Sequence, residues 1–164
     1  MEREEVIRII KTARERGKMS SLREVDLSKT DLSEVNLSGT NLHKTYLRRA
    51  KLSRVDLHKT DLSGADLIRA NLAEADLNGA NLKGANLSGA NLSGANLNRG
   101  SLRGANLSGA NVSEANVNLA DLSLANLSEA DLTGADLSGT YLSLASLTGA
   151  NLSGATMPDK ATQF

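Results

Sequence analysis

The sequence predicts an all-β solenoid, and three observations carry that prediction. From Leu22 to Leu152 every fifth residue is Leu, except Val112 and Val117. Two residues before each sits a small side chain: Val25, Thr30, Val35 and Thr40 at first, then almost always Ala from Ala65 to Ala155. The residue between is usually Asp or Asn, and the other two are mostly Ser followed by Gly or a charge. No insertion shifts this register across 27 units, from about Ser20 to Pro158.

The period of five decides the geometry. On an α-helix five residues advance about 500°, so successive leucines would wind around every face. On a flat strand an odd step sends alternate leucines to opposite faces. A chain that bends once per unit buries them all. The Ala and Leu, two apart, share one side of a short extended piece, and the next two residues turn. Asp, Asn and Ser side chains hydrogen-bond nearby backbone, and Gly tolerates the strained backbone of a tight turn.

Composition fits a core built from small, uniform pieces. Tyr46, Tyr141 and Phe164 are the only aromatics, and Trp is absent. One buried Leu contributes about 1.5–3 kcal/mol, less than the backbone entropy of five ordered residues at about 1–2 kcal/mol each. Hydrogen bonds between coils and packing of Ala must therefore add to leucine burial. Formal net charge is zero, which argues against general nucleic-acid binding. The absence of cysteine excludes disulfides and thiolate metal sites. The start, Met1-Glu-Arg-Glu-Glu, reads as neither signal peptide nor membrane span, so a cytoplasmic protein is expected.

Runs such as Ala80-Asn81-Leu82-Lys83-Gly84 and Ala85-Asn86-Leu87-Ser88-Gly89 resemble the pentapeptide-repeat family. That resemblance implies a right-handed quadrilateral β-helix with four repeats and twenty residues per coil, hence about seven coils. The spacing alone leaves the number of sides open. The closing Gly154-Ala155-Thr156-Met157-Pro158-Asp159 resembles endings of bacterial, especially cyanobacterial, members. At a rise of roughly 4.8 Å per coil the stack would be about 33 Å long.

The expected organisation is an amphipathic capping α-helix over residues 1–18, the β-helix over residues 19–158, and a tail over residues 159–164. Val6, Ile9, Ile10 and Ala13 follow helical spacing, and Gly17 suits the position just past the helix. Such a helix would cover the open first coil.

No catalytic, cofactor or metal site is expected. The serines and the Asp and Asn residues are explained by the repeat. His43 and His58 fall on adjacent faces of the second coil, pointing apart. Function is therefore sought where the repeat is broken. The second coil, residues 40–59, carries Lys44, Arg48, Arg49, Lys51, Arg54 and Lys59 against one acid, Asp56. Of these, Arg48, Arg49, Lys51, Arg54 and Lys59 are the candidate partner-binding residues, suited to an acidic protein surface or a phosphate-bearing ligand. Leu119, Leu124 and Leu144 take an outward position held elsewhere by Gly or a charge. With Tyr141 they form a candidate interface or a dock for the chain's own tail, through Phe164.

The leading expectation is a non-catalytic interaction or scaffold protein. Its partner is another protein rather than nucleic acid or membrane, and a monomer is favoured over a homodimer. The resemblance supplies an alternative: some members mimic DNA, bind type II topoisomerase (DNA gyrase) and protect it from quinolones. Those members are markedly acidic, unlike this chain. A polar ladder for surface recognition, such as ice binding, is suggested by Ser33, Ser53, Ser93, Ser113, Thr133 and Ser153, but Ala73 interrupts it.

Overall fold

A computed structural model of the chain describes residues 1–159. Helix α1 spans Arg3–Glu15. Everything after it is a regular array in which each five-residue unit contributes one bridging residue and one two-residue turn. Parallel bridges join residues twenty apart, from Ser21↔Asn41 to Asp136↔Thr156. Four units therefore close one coil, which gives the stack four sides. Face 1 begins with residues 20–24, face 2 with 25–29, face 3 with 30–34 and face 4 with 35–39, each repeating every twenty residues. No extended strand occurs among the described residues, because two turn residues interrupt the pairing after every rung.

Where the unit carries Asp or Asn and a coil lies on either side, each backbone N–H has an acceptor, as the unit beginning at Ala85 illustrates. Asn86 N–H donates back to Ala65 O at 2.9 Å, and Leu87 N–H forward to Asn106 O at 2.7 Å. Gly89 N–H donates forward to Ser108 O at 2.9 Å, while Ala90 N–H closes the turn on Leu87 O at 2.9 Å. Ser88 N–H is met by the side chain of Asn86, at 3.1 Å from Oδ1. The Asp or Asn thus serves twice, as a rung of the ladder and as the acceptor inside the turn.

The fourth residue after the small side chain always turns through positive φ, for example 62° at Gly89 and 55° at Arg49. That is the third position of a type II turn, where Gly costs least. Non-glycine residues there bear strain of about 1–2 kcal/mol each.

The small side chain and Leu point inward. Every inward Leu or Val from Leu22 to Leu137 on the leucine row is buried, whereas Leu142, Leu147 and Leu152 in the last coil are only partly covered. Thr fits the small position where its hydroxyl reaches a carbonyl. Thr45, Thr60 and Thr140 donate to Leu22 O, Leu37 O and Val117 O at 2.8, 3.2 and 3.0 Å. No buried polar side-chain atom among the described residues lacks a partner.

Helix α1 lies against the first coil. Val6 and Ile10 are buried in the shared core, with Ile7 and Ile9 packed beside them. Gly17 has φ of 62°. Its N–H donates to Arg14 O and that of Lys18 to Ala13 O, both at 2.9 Å, the paired bonds that end many helices. Arg3 donates to Asp31 O and Ser33 O, and Arg14 to the Asn36 side chain at 2.6 Å, tying the helix to face 3 and face 4.

The turns also perturb acid groups. Hydroxyl and backbone N–H donors of Thr133 and Ser138 hold Asp131 and Asp136 below the ordinary 3.8. The backbone N–H and hydroxyl of Ser28 and Ser33 do the same for Asp26 and Asp31. At Asp61 burial pushes the pKa up, but donors from Ser63 and Asn81 and the nearby His43 outweigh it and lower the value.

Two predictions follow from these bonds. Leu87→Asp places an unpaired charge in the dry axis and should abolish the cooperative thermal transition, whereas Ser88→Asp, pointing outward, should leave it in place. Equal melting of both variants by circular dichroism would contradict the inward assignment. The lowered carboxyl values mean that the folded chain binds protons less readily than the unfolded chain. Stability from these turns is present in full above 3.8 and is lost as pH falls through the lower folded values. The thermal midpoint should stay level down to about pH 5 and drop steadily below pH 4; a midpoint unchanged at pH 2 would count against these turn bonds.

Candidate functional site: a cationic cleft

Because the coil repeats every twenty residues, side chains at that spacing stack into columns up each face. On the corner of face 2 one column reads Lys29, Arg49, Arg69 and then Gly89. All four residues have positive φ. Three like charges stacked at the intercoil spacing of roughly 4.8 Å repel one another. None of the three forms an ion pair among the described residues, although Arg48 beside them pairs with Asp66.

These residues surround an open cleft of about 530 Å³, lined also by Ser28, Ile68 and Ser88. Ile68 and Ser88 are half-buried, while the four cations are exposed. The column ends at Gly89, where a Cβ would come within 3.4 Å of the Arg69 side-chain stem. Gly89 thus sets no side chain against that stem. The arrangement offers several N–H donors and a net positive field to an anionic group, with Ile68 as an apolar floor. It contains no nucleophile paired with a base.

The candidate residues of the second coil do not share one surface. Arg48 and Arg49 lie on face 2, Lys51 and Arg54 on face 3, and Lys59 on face 4. Lys51 is paired with Asp31 at 3.4 Å and Arg54 with Glu34 at 2.8 Å, so both are neutralised by the coil below. Only Arg48 and Arg49 enter the cleft, where they meet Lys29 of the first coil and Arg69 of the third. Lys29 and Arg69 were missed by reading the sequence coil by coil. The signal that finds them is cation spacing of twenty.

The apolar candidates are placed as their spacing implies. Leu124 and Leu144 stack on face 1 with Tyr141 in the same coil as Leu144, and Leu119 lies on the face 4 corner. They are exposed, Leu144 most of all at 82%. Phe164, the expected occupant of this patch, lies outside the described residues. His43 on face 1 bonds Ser63 Oγ through Nδ1 at 2.8 Å. His58 on face 4 has Nδ1 2.6 Å from Asp56 Oδ1. No described helix is long and apolar enough to cross a membrane.

Comparison with known proteins agrees with the repeat. The family profile for pentapeptide repeats matches in eight copies, over residues 20–58, 50–89, 85–123 and 125–159. No curated protein matches the chain. Among solved structures, it is similar to HetL, a pentapeptide repeat protein involved in heterocyst differentiation regulation from the cyanobacterium Nostoc. Identity is 29%, coverage 99% of this chain and 100% of that one, and the TM-score 0.47. A pentapeptide repeat protein of the Arabidopsis thaliana thylakoid lumen is 40% identical over 58% of this chain and 59% of its own, with a TM-score of 0.32. QnrB1, a plasmid-mediated fluoroquinolone resistance protein, is 24% identical over 81% of this chain and 79% of its own, with a TM-score of 0.45.

Proposed function

The chain belongs to the pentapeptide repeat family, and from that premise we propose that it is a non-catalytic interaction module that docks an acidic segment of a partner protein in the face 2 cleft. The observation that carries this reading is the unpaired column Lys29, Arg49, Arg69. Fifteen non-glycine corners hold positive φ, so strain alone does not single these out. What does is that three successive cations stack in one column with no ion-pair partner among the described residues, and like charges kept together without one point to a role outside the fold. The coil winds right-handed, as the family's β-helices do and as parallel crossover connections require. Helix α1 serves as its cover at the N-terminal end, and the module works in the cytoplasm.

The sign of the cleft is what an acidic partner segment needs. A DNA-like surface would need the opposite sign, because DNA is a continuous polyanion. Contacts made by exposed cations are weakened by salt, so docking is expected to be salt-sensitive and reversible.

A fluorescein-labelled hexaglutamate peptide tests the proposal by anisotropy. Wild-type protein should bind it, with affinity falling as salt rises. Arg49→Glu with Arg69→Glu should weaken binding by roughly tenfold or more, a change of about 1.4 kcal/mol or greater. Arg99→Glu with Arg103→Glu alters net charge equally but lies outside the cleft, and should retain most of the binding. Equal loss in both double variants would reduce the effect to net charge and refute the cleft.

A further inference from the structure

The ladder of Asp and Asn residues stacks two carboxylates at one step, on face 4. Elsewhere an Asn amide commonly donates to the residue below it, as Asn81 does to Asp61 at 3.0 Å and Asn91 to Asn71 at 3.2 Å. The face 4 column runs Asn36, Asp56, Asp76, Asn96, Asn116, Asp136 and Thr156. Asp76 bridges directly to Asp56, the one step among the described bridges at which two carboxylates are stacked. Other Asp residues of the ladder stand above an Asn, as Asp61 does above Asn41; here neither side chain has an amide hydrogen to give, and the rung sets two negative charges together.

The surroundings do not neutralise that pair. Among the described residues no Lys or Arg forms an ion pair with either carboxylate; the ring of His58 lies against Asp56. The remaining donors all fall on Oδ1. His58 N–H donates to Asp56 Oδ1 at 3.2 Å, and Asn78 N–H and Asn96 Nδ2 donate to Asp76 Oδ1 at 3.0 and 3.1 Å. Oδ2 of each carboxylate receives no hydrogen bond among the described residues. His58 stands on the same face, with a ring nitrogen and one oxygen of each carboxylate all within 4.8 Å of one another. All three side chains are partly buried, and two are anchored by their turns.

We propose that Asp56, His58 and Asp76 form a binding site for a divalent first-row transition metal ion, which bridges the two stacked carboxylates and clips the second coil to the third. The ligand set carries the choice of ion. One imidazole nitrogen with two carboxylate oxygens suits Zn²⁺, Co²⁺, Ni²⁺ or Mn²⁺, whereas Ca²⁺ and Mg²⁺ favour oxygen alone. Three protein ligands leave coordination positions for water. The ligands come from two coils, so the ion would bind the folded chain and raise its thermal midpoint.

Calorimetric titration of the full, chelator-treated chain with Zn²⁺ and with Co²⁺, alongside thermal melts, tests the site. The expected result is one equivalent per chain, a higher midpoint with metal, and visible absorption from bound Co²⁺. Asp76→Asn and His58→Ala should each weaken binding at least about tenfold while leaving the circular dichroism spectrum unchanged. Asp76→Asn also supplies an amide donor, so without metal its midpoint should not fall. His43→Ala should bind as the wild type does. Absence of binding by the wild-type chain, or undiminished binding by either Asp76→Asn or His58→Ala, overturns the proposal.

Discussion

Every feature of this molecule depends on the hydrogen bonds between residues twenty apart. Each unit sends two N–H donors to the coil above and one to the coil below, as Leu87, Gly89 and Asn86 do at 2.7, 2.9 and 2.9 Å. These bonds are short, parallel and repeated without interruption. They supply what one Leu per five residues does not, and they leave the core so narrow that only Leu, Val, Ala, Thr or another small residue fits. Stability then sums over neighbouring coils rather than resting on a single central core.

The same ladder turns a linear sequence into four sets of columns. A side chain at the corner is neighbour not to the residues beside it in sequence but to those twenty away. This arrangement neutralises Arg54 against Glu34 and Lys51 against Asp31, yet leaves Lys29, Arg49 and Arg69 facing one another. The positive φ at each corner adds a second constraint, because any residue but Gly is strained there. Gly dominates the corners from Gly79 to Gly109, apart from Arg99, and the earlier coils carry mostly charges. The surface chemistry is therefore concentrated toward the N-terminal half of the stack.

Fold and site differed in how far the sequence made them legible. The unbroken leucine register was enough to read the inward residues and the turn chemistry of Asp, Asn and Ser, and the spacing of Val6, Ile9, Ile10 and Ala13 was enough to read the helix that stops short of Gly17. The four-sided coil came from family resemblance and not from spacing, since period five alone suits other numbers of sides. The basic coil was read by composition, and composition does not separate Arg49, which faces the cleft, from Arg54, which is paired. Lys29 and Arg69 escaped because they lie outside residues 40–59, although a comparison at twenty-residue spacing would have found both. Asp56 and Asp76 looked like ordinary repeat positions for the same reason; only their stacking sets them apart.

Period five makes the fold, and on the reading proposed above period twenty makes the docking site. Inserting one unit, Ala-Asn-Leu-Ser-Gly, between Lys59 and Thr60 separates the two. The five-residue register survives, but Arg69 moves a quarter turn away from Lys29 and Arg49. The same insertion between Gly109 and Ala110 leaves the cleft residues in place. The account predicts that both proteins keep the wild-type circular dichroism spectrum and melt cooperatively, and that only the first loses binding of the hexaglutamate peptide. Unfolding of the second insertion would contradict the repeat as the unit of folding, and undiminished binding by the first would contradict the column as the site.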